Sequence, residues 1–204
     1  RKTLWLGNPA RDLTCKNIEE ARNFFGIKPG TRVIFALGGG TGSTTVNRLV
    51  LEALPSWPKE WQVIHLIGKE RPGDLSERAA KTFPNYHVYP FFTHEMAYAY
   101  ALADIVIARA GFGTLTELAA LKKSAIIIPM TGTHQEENAQ FFGTQQAIVA
   151  LHGEHESGYR MAHEAVDLMV DAARRTKMGE ALHQLLPQAE PGTLVEIIDR
   201  LVRR

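Results

Sequence analysis

The stretch from Ala103 to Leu121 holds the residues best spaced to grip a ligand. Its apolar run, Ile105 to Ala108, has the length and composition of a buried strand. The run stops before Gly111 and Gly113, where the absence of a Cβ permits positive φ and lets another group close on the backbone. A helix is predicted to start at once, with Thr114 and Glu117 in its first turn. Such a corner presents unpaired N–H groups and the positive end of a helix dipole to an anion. Glu117 adds an acceptor for sugar hydroxyls. Phosphate and ribose together describe a nucleotide. The same Thr114-x-x-Glu117 spacing is also a capping box, in which the two side chains satisfy the helix's own donors. An acid in a first turn contributes about 0.3–1 kcal/mol with no ligand present.

Other segments bear on that choice. Gly38-Gly39-Gly40-Thr41-Gly42-Ser43 forms a second glycine corner after the apolar run Thr31 to Leu37. It lacks the Lys of a P-loop. It is not a clean dinucleotide fingerprint either: Gly38 and Gly40 fit the first two positions, but Ser43 takes the third. A turn alone needs fewer glycines, so the surplus predicts close approach of a phosphate. Gly7-Asn8-Pro9-Ala10-Arg11 places an Arg behind a Pro-fixed turn. A guanidinium grips phosphate through two parallel bonds, although a solvated surface Arg is the ordinary alternative.

At Thr133 to Asn138, Gln135 offers a donor and an acceptor suited to sugar hydroxyls, with helix-start chemistry as the alternative. His134 beside it is expected to be neither metal ligand nor base. Phe91 to Met96 provides an apolar platform for a base or, alternatively, a piece of core. No Asp-x-Asp pair stands ready to hold a divalent metal against a diphosphate. No His/Cys cluster has zinc spacing, and no Gly-x-Ser-x-Gly elbow occurs. A bound diphosphate is therefore expected to rest on helix dipoles, backbone N–H groups and Arg, with no metal and no cofactor.

The elements that must position these residues alternate along the chain. Strands are expected at Leu4 to Leu6, Thr31 to Leu37, Trp61 to Ile67, Tyr86 to Tyr89, Ile105 to Ala108, Ala125 to Ile128 and Ala147 to Ala150. Helices are expected from Asn17 to near Gly26, from the glycine corner to Leu54, and at Asp74 to Lys81, Glu95 to Leu102 and Glu136 to Phe142. Met161 to Arg175, Met178 to Leu186 and Thr193 to Val202 carry apolar residues at helical spacing and are expected to pack on the sheet. Continuous apolar strands alternating with helices predict an α/β, doubly wound parallel sheet with its ligand at the strands' carboxyl ends. No internal repeat or linker divides the chain, so residues 1–204 read as one domain.

Composition sets wider bounds. The 204 residues include 45% hydrophobic and 22% charged side chains, as in an ordinary globular protein. A net charge of +1, with Lys and Arg scattered, gives no basis for nucleic-acid binding. The single cysteine, Cys15, excludes an internal disulfide and fits a reducing compartment. No apolar run is long enough to span a bilayer, and no signal peptide is visible. The chain opens on Arg1-Lys2-Thr3 without an initiator Met, as a piece of something longer would, or equally a chain from which a tag was removed.

Five segments in order resemble one family. Gly7 to Arg11, Gly38 to Ser43 with Asn47 downstream, Phe92 to Met96, Ala103 to Leu121, and His134-Gln135-x-x-Asn138-Ala139 are similar to motifs of the MurG family. These are the UDP-N-acetylglucosamine transferases of peptidoglycan synthesis, in glycosyltransferase family 28. The similarity runs through nearly the whole chain and places it in the C-terminal half of the two-domain GT-B architecture. Two departures stand out: Gly40 replaces the family's usual Ser, and Thr41 its usual Gln.

The resemblance implies a role for each matching residue. Arg11 and Gly40, Thr41 and Gly42 would face the diphosphate. Phe92 and Thr93 would contact uracil. Phe112, Gly113 and Thr114 would approach the phosphates, Glu117 would hold the ribose hydroxyls, and Gln135 would read the GlcNAc hydroxyls. The implied partners are UDP-GlcNAc and a lipid-linked acceptor. The acceptor site, the catalytic base and any membrane contact would lie on an N-terminal half absent from this chain. The full enzyme would work in the cytoplasm, peripherally at the inner face of the plasma membrane. A transferase acting on a diacylglycerol lipid or using another sugar, a stand-alone binding subunit, and more distantly a dinucleotide oxidoreductase remain as alternatives.

Overall fold

The computed structural model describes residues 5–70, 74–190 and 192–203. The first half of the chain runs α1 (Ile18–Phe25), β1 (Val33–Leu37), α2 (Thr44–Ala53), β2 (Gln62–Leu66), α3 (Asp74–Thr82) and β3 (Tyr86–Tyr89). It continues through α4 (Glu95–Leu102), β4 (Ile105–Ala108), α5 (Phe112–Ala120), β5 (Ala125–Ile127), α6 (His134–Thr144) and β6 (Val149–Ala150). Three further helices follow: α7 (Gly158–Val170), α8 (Ala172–Leu185) and α9 (Thr193–Val202).

All strand pairs are parallel, in the order β3-β2-β1-β4-β5-β6. The expected doubly wound sheet is therefore present. Side chains alternate across it, as the period of two demands. Val33, Phe35 and Leu37 enter one core with Leu115, Leu118 and Tyr100, while Ile34 and Ala36 enter the other with Leu49, Val50 and Leu168. Both faces are covered, which is why β1 and β4 are buried along their whole length.

Three expectations change. Of the strand expected at Leu4 to Leu6, Leu4 lies outside the described residues, and Trp5 and Leu6 join no ladder. The pairing comes slightly later, as an isolated parallel bridge between Asn8 and Gln188. The break between α7 and α8 falls at Asp171 rather than after Arg175. Asp171 leaves helical geometry and its Oδ1 accepts the Arg174 N–H at 2.8 Å, an N-cap that overrides the continuing apolar period. Arg175 then turns back and donates to the Leu168 and Met169 carbonyls at the end of α7. Finally, α9 does not settle on the sheet; Val195, Ile198, Leu201 and Val202 are all at least half exposed.

A chain of buried polar groups crosses the second core beneath the Gly38 corner. His65 on β2 is fully buried. Asn47 donates from Nδ2 to the Ile67 carbonyl at 3.1 Å, so its Oδ1 is the acceptor for His65 Nε2, also at 3.1 Å. That assignment puts the imidazole proton on Nε2 and leaves Nδ1 to accept the Tyr86 hydroxyl at 2.7 Å. Ser76 completes the chain by hydrogen-bonding Tyr86. Every member is satisfied, the condition under which a polar network specifies a core rather than weakening it.

Burial lowers the His65 pKa to about 3. The folded value lies below the unfolded one, so the unfolded chain binds a proton that the native chain refuses. The contribution to stability is complete above pH ~6.5 and is lost as the pH falls towards 3. From this residue, the unfolding free energy is expected to drop by about 2 kcal/mol between pH 7 and pH 5. Denaturant titrations should show a shallower pH slope in His65→Gln; an equal slope would refute the assignment.

Candidate functional site

The chain leaves β1 towards β2 and β3, then returns to β4 and continues to β5 and β6. Strand order therefore reverses between β1 and β4, and the loops at their carboxyl ends diverge around a crevice. A cavity of about 250 Å³ opens there. Leu37, Gly39 and Gly40 line it from the β1 side, and Gly113, Thr114 and Glu117 from the β4 side. Leu66, Phe91, Phe92 and Met96 supply an apolar wall, and Arg11 closes the rim.

The glycines at the β1 corner divide by what they do. A Cβ on Gly38 would lie 2.2 Å from the Ser43 nitrogen, so packing forbids it. Gly39 and Gly42 have φ of +86° and +81°. Gly68, at φ +98°, meets the corner from β2, where a Cβ would fall 2.3 Å from the Gly42 Cα. The fold thus accounts for three of the four glycines. Gly40 is the exception: its φ is not left-handed, and no atom lies within 4 Å of where its Cβ would sit. Gly113 likewise faces open space.

The β4 corner is held from behind by α6. Asn138 Nδ2 donates to the Ala110 carbonyl at 3.0 Å. Gln135 Oε1 accepts Arg109 Nε at 3.3 Å and the Met130 N–H at 3.2 Å. Helix α5 therefore starts from a braced turn. Its N-cap is Gly111, with no side-chain cap, whereas Ser43 caps α2 and Thr133 caps α6. The capping box suggested by Thr114 and Glu117 does not form, because α5 starts at Phe112 and Glu117 falls beyond its first turn; the start of α5 lines the crevice through Gly113 and Thr114 with no side-chain cap.

Glu117 has other partners. Its side chain is buried, and Oε1 receives Arg11 Nε at 2.8 Å and Nη2 at 2.7 Å. Oε2 receives the Tyr100 hydroxyl at 3.1 Å. The carboxylate is thus part of the cavity wall but not the open acid expected from the sequence. Arg11 reaches it because the preceding residues are stitched down. Asn8 N–H donates to the Pro187 carbonyl, and Ala189 N–H donates to the Asn8 carbonyl. Gly7, at φ +85°, packs where a Cβ would lie 2.7 Å from the Gln188 and Ala189 backbone.

Of the residues expected to bind ligand, Arg11, Gly40, Phe92, Gly113, Thr114 and Glu117 meet in one cavity. Phe92 is buried and its ring is committed to a cluster with Phe25 and Tyr89, so Phe91 presents the exposed ring instead. Thr93 lines a separate cavity beside α1, and its N–H is taken by Glu95 Oε2 at 2.9 Å. Thr41 is exposed, Gly42 is buried in the turn, and Phe112 is half exposed at the start of α5, none of them lining the Glu117 cavity. Gln135 stands apart, bonded to Arg109 beside a smaller cavity lined by Ser43, Thr44, Arg109 and Pro129.

Two residues here had no separate signal in the sequence. Lys69 lies over the Phe91 ring, 4.1 Å from its centroid. Tyr100 shares α4 with Tyr98, and nothing local separates the two.

The division among glycines is testable by thermal and chemical unfolding. Gly38→Ala is expected to lower stability by about 1–3 kcal/mol, because the new methyl must displace backbone. Gly40→Ala should unfold like the parent chain. Equal losses in the two variants would contradict the geometry.

Residues 33–189 match the family described as glycosyltransferase family 28 C-terminal domain. A curated relative from Treponema denticola is named UDP-N-acetylglucosamine--N-acetylmuramyl-(pentapeptide) pyrophosphoryl-undecaprenol N-acetylglucosamine transferase. It is 34% identical over 165 residues, covering 75% of this chain and 42% of the relative. A relative of the same name from Solidesulfovibrio magneticus is 33% identical over 201 residues, covering 92% of this chain and 53% of the relative. The chain thus spans about half the length of the curated relatives it matches. Among solved structures, Acinetobacter baumannii MurG superposes with a TM-score of 0.69 at 23% identity, over 94% of this chain and 55% of that one, a likeness of fold. The chain belongs to glycosyltransferase family 28, and its doubly wound sheet is that family's C-terminal domain.

Proposed function

We propose that this chain is the donor-binding domain of an inverting, metal-independent transferase that moves N-acetylglucosamine from UDP-N-acetylglucosamine to a lipid-linked muramoyl-pentapeptide. One observation carries the reading: an uncapped helix start, an arginine and a buried carboxylate converge on a single cavity at the switch point. Family membership and the names of the relatives support it.

In this reading, uracil rests against the wall near Phe91, Phe92 and Thr93. Glu117 takes the ribose hydroxyls. The phosphates meet the start of α5 at Phe112, Gly113 and Thr114, with Gly40, Thr41 and Gly42 opposite. Gln135, beside the smaller cavity, reads the sugar hydroxyls. Negative charge grows on UDP as the glycosidic bond breaks, and fixed N–H groups with Arg11 offset it; one such donor is worth roughly 2.7–4 kcal/mol in other enzymes. Arg11 changes partner to do this. Its own side chain is 59% exposed and can swing to a new partner, but the Glu117 carboxylate is buried and must receive new donors in exchange. A diphosphate then takes the guanidinium from Glu117, while ribose hydroxyls replace it on the carboxylate.

The cavity is smaller than the roughly 300–1,000 Å³ usual for a ligand cleft, which fits a site whose other wall belongs to the rest of a full-length enzyme. The acceptor site, the general base and the contact with the inner face of the plasma membrane are assigned to that part. Among the described residues, no helix is long and apolar enough to cross a membrane.

Calorimetry tests the proposal. UDP is expected to bind the chain with the same affinity in excess EDTA as without it. Glu117→Gln, which keeps shape and the Tyr100 bond but removes the charge, should weaken UDP about tenfold. Unchanged affinity in Glu117→Gln would remove this residue from the site, and dependence of binding on a divalent metal would overturn the metal-independent reading.

A further inference from the structure

Glu117 is held by two partners of opposite character. Arg11 reaches Oε1 from the solvent side on a mostly exposed side chain. Tyr100 reaches Oε2 from inside the core; its ring is fully buried and packs edge-on against Phe35 with centroids 5.2 Å apart. One carboxylate oxygen is therefore guarded by a group free to leave, and the other is pinned by a group that cannot.

The asymmetry has a consequence for recognition. The terminal torsion of a glutamate is soft and roughly two-fold, so the carboxylate plane of Glu117 is not set by its own chain. Something must fix that plane so that one oxygen faces the ligand. Arg11 cannot, since in the nucleotide reading it moves to the diphosphate. Tyr100 can. Its hydroxyl hangs on a ring immobilised by core packing, and burial together with the charge of Glu117 keeps the phenol protonated far above its ordinary range. It remains a donor at every relevant pH. Losing that bond would leave a buried hydroxyl and a buried carboxylate oxygen unpaired together.

We propose that Tyr100 is a positioning residue: it anchors Oε2 of Glu117 so that Oε1, once released by Arg11, meets the ribose hydroxyls, which makes the site selective for a ribonucleotide. This rests on the nucleotide reading above. It adds a residue that touches no ligand yet sets how strongly the 2′- and 3′-hydroxyls count.

The test compares UDP with 2′,3′-dideoxy-UDP in the 204-residue chain by calorimetry. The unaltered chain is expected to prefer UDP by about tenfold or more, the worth of a hydrogen bond to a charged acceptor. Tyr100→Phe keeps the ring and its packing. It should weaken UDP several-fold, leave the dideoxy analogue unchanged, and so erase most of the preference. In the Glu117→Gln background the same substitution should have no further effect on the preference. Tyr100→Phe with full preference, or with both ligands weakened alike, would overturn the role of Tyr100 while leaving the nucleotide site standing. An unaltered chain that binds both ligands equally would refute the ribose contact itself, and the role of Tyr100 with it.

Discussion

Right-handed crossovers that leave neighbouring parallel strands in opposite directions carry their helices to opposite faces of the sheet. Nothing is then left to cover the strand ends between them. Here that gap lies between β1 and β4, and each element of the site is a response to it. The Gly38 corner turns sharply enough to stay out of the gap, with Gly68 packed against it. Helix α5 begins at its edge without a side-chain cap. Arg11 and Glu117 meet across its mouth. Remove the reversal of strand order, and these residues would have no reason to be neighbours.

The crevice is polarised by what the chain withholds as much as by what it supplies. Ser43 and Thr133 satisfy their own helices, whereas α5 starts at Phe112 behind Gly111, which has no side chain to cap it, and Glu117 stands past its first turn. The first N–H groups of α5 are therefore left without a side-chain cap. Polar residues that belong to the matching motifs also prove to be scaffolding. Asn138 holds the Ala110 carbonyl, Asn8 bridges to Gln188, and Asn47 ties the buried His65 to the Ile67 carbonyl just before Gly68. The side chains that meet the cavity are few because so many others fix where it is.

Much of this could be read from the sequence, for identifiable reasons. Continuous apolar runs such as Val33–Leu37 and Ile105–Ala108 have one stable home, a sheet covered on both faces, so strand direction followed from them, and six of the seven expected strands form among the described residues. Glycine corners after strands fall at the carboxyl edge whatever the exact topology, so Gly40, Gly113 and Thr114 were placed correctly near a cavity. Local pattern does not give the direction of a loop side chain. That is why Phe91 rather than Phe92 shows its ring, and why Thr93 faces another cavity. Contacts distant in sequence were equally hidden: Arg11 and Glu117 are 106 residues apart, and Tyr100 reaches Glu117 from a neighbouring helix. The amphipathic spacing of α9 foretold a helix but not what its apolar side meets.

The stitch between Gly7-Asn8 and residues 187–189 ties the first described segment to the stretch that follows α8. Neither partner belongs to the sheet, so a chain cut just after Leu186 would keep all six strands and both cores. It would nevertheless lose the tether that holds Arg11 over the cavity. Conversely, joining the two ends of these 204 residues and reopening the chain in a distant surface loop would leave this seam intact. In such rearranged molecules, the placing of Arg11 at the cavity mouth would follow the seam rather than the order of the elements along the chain.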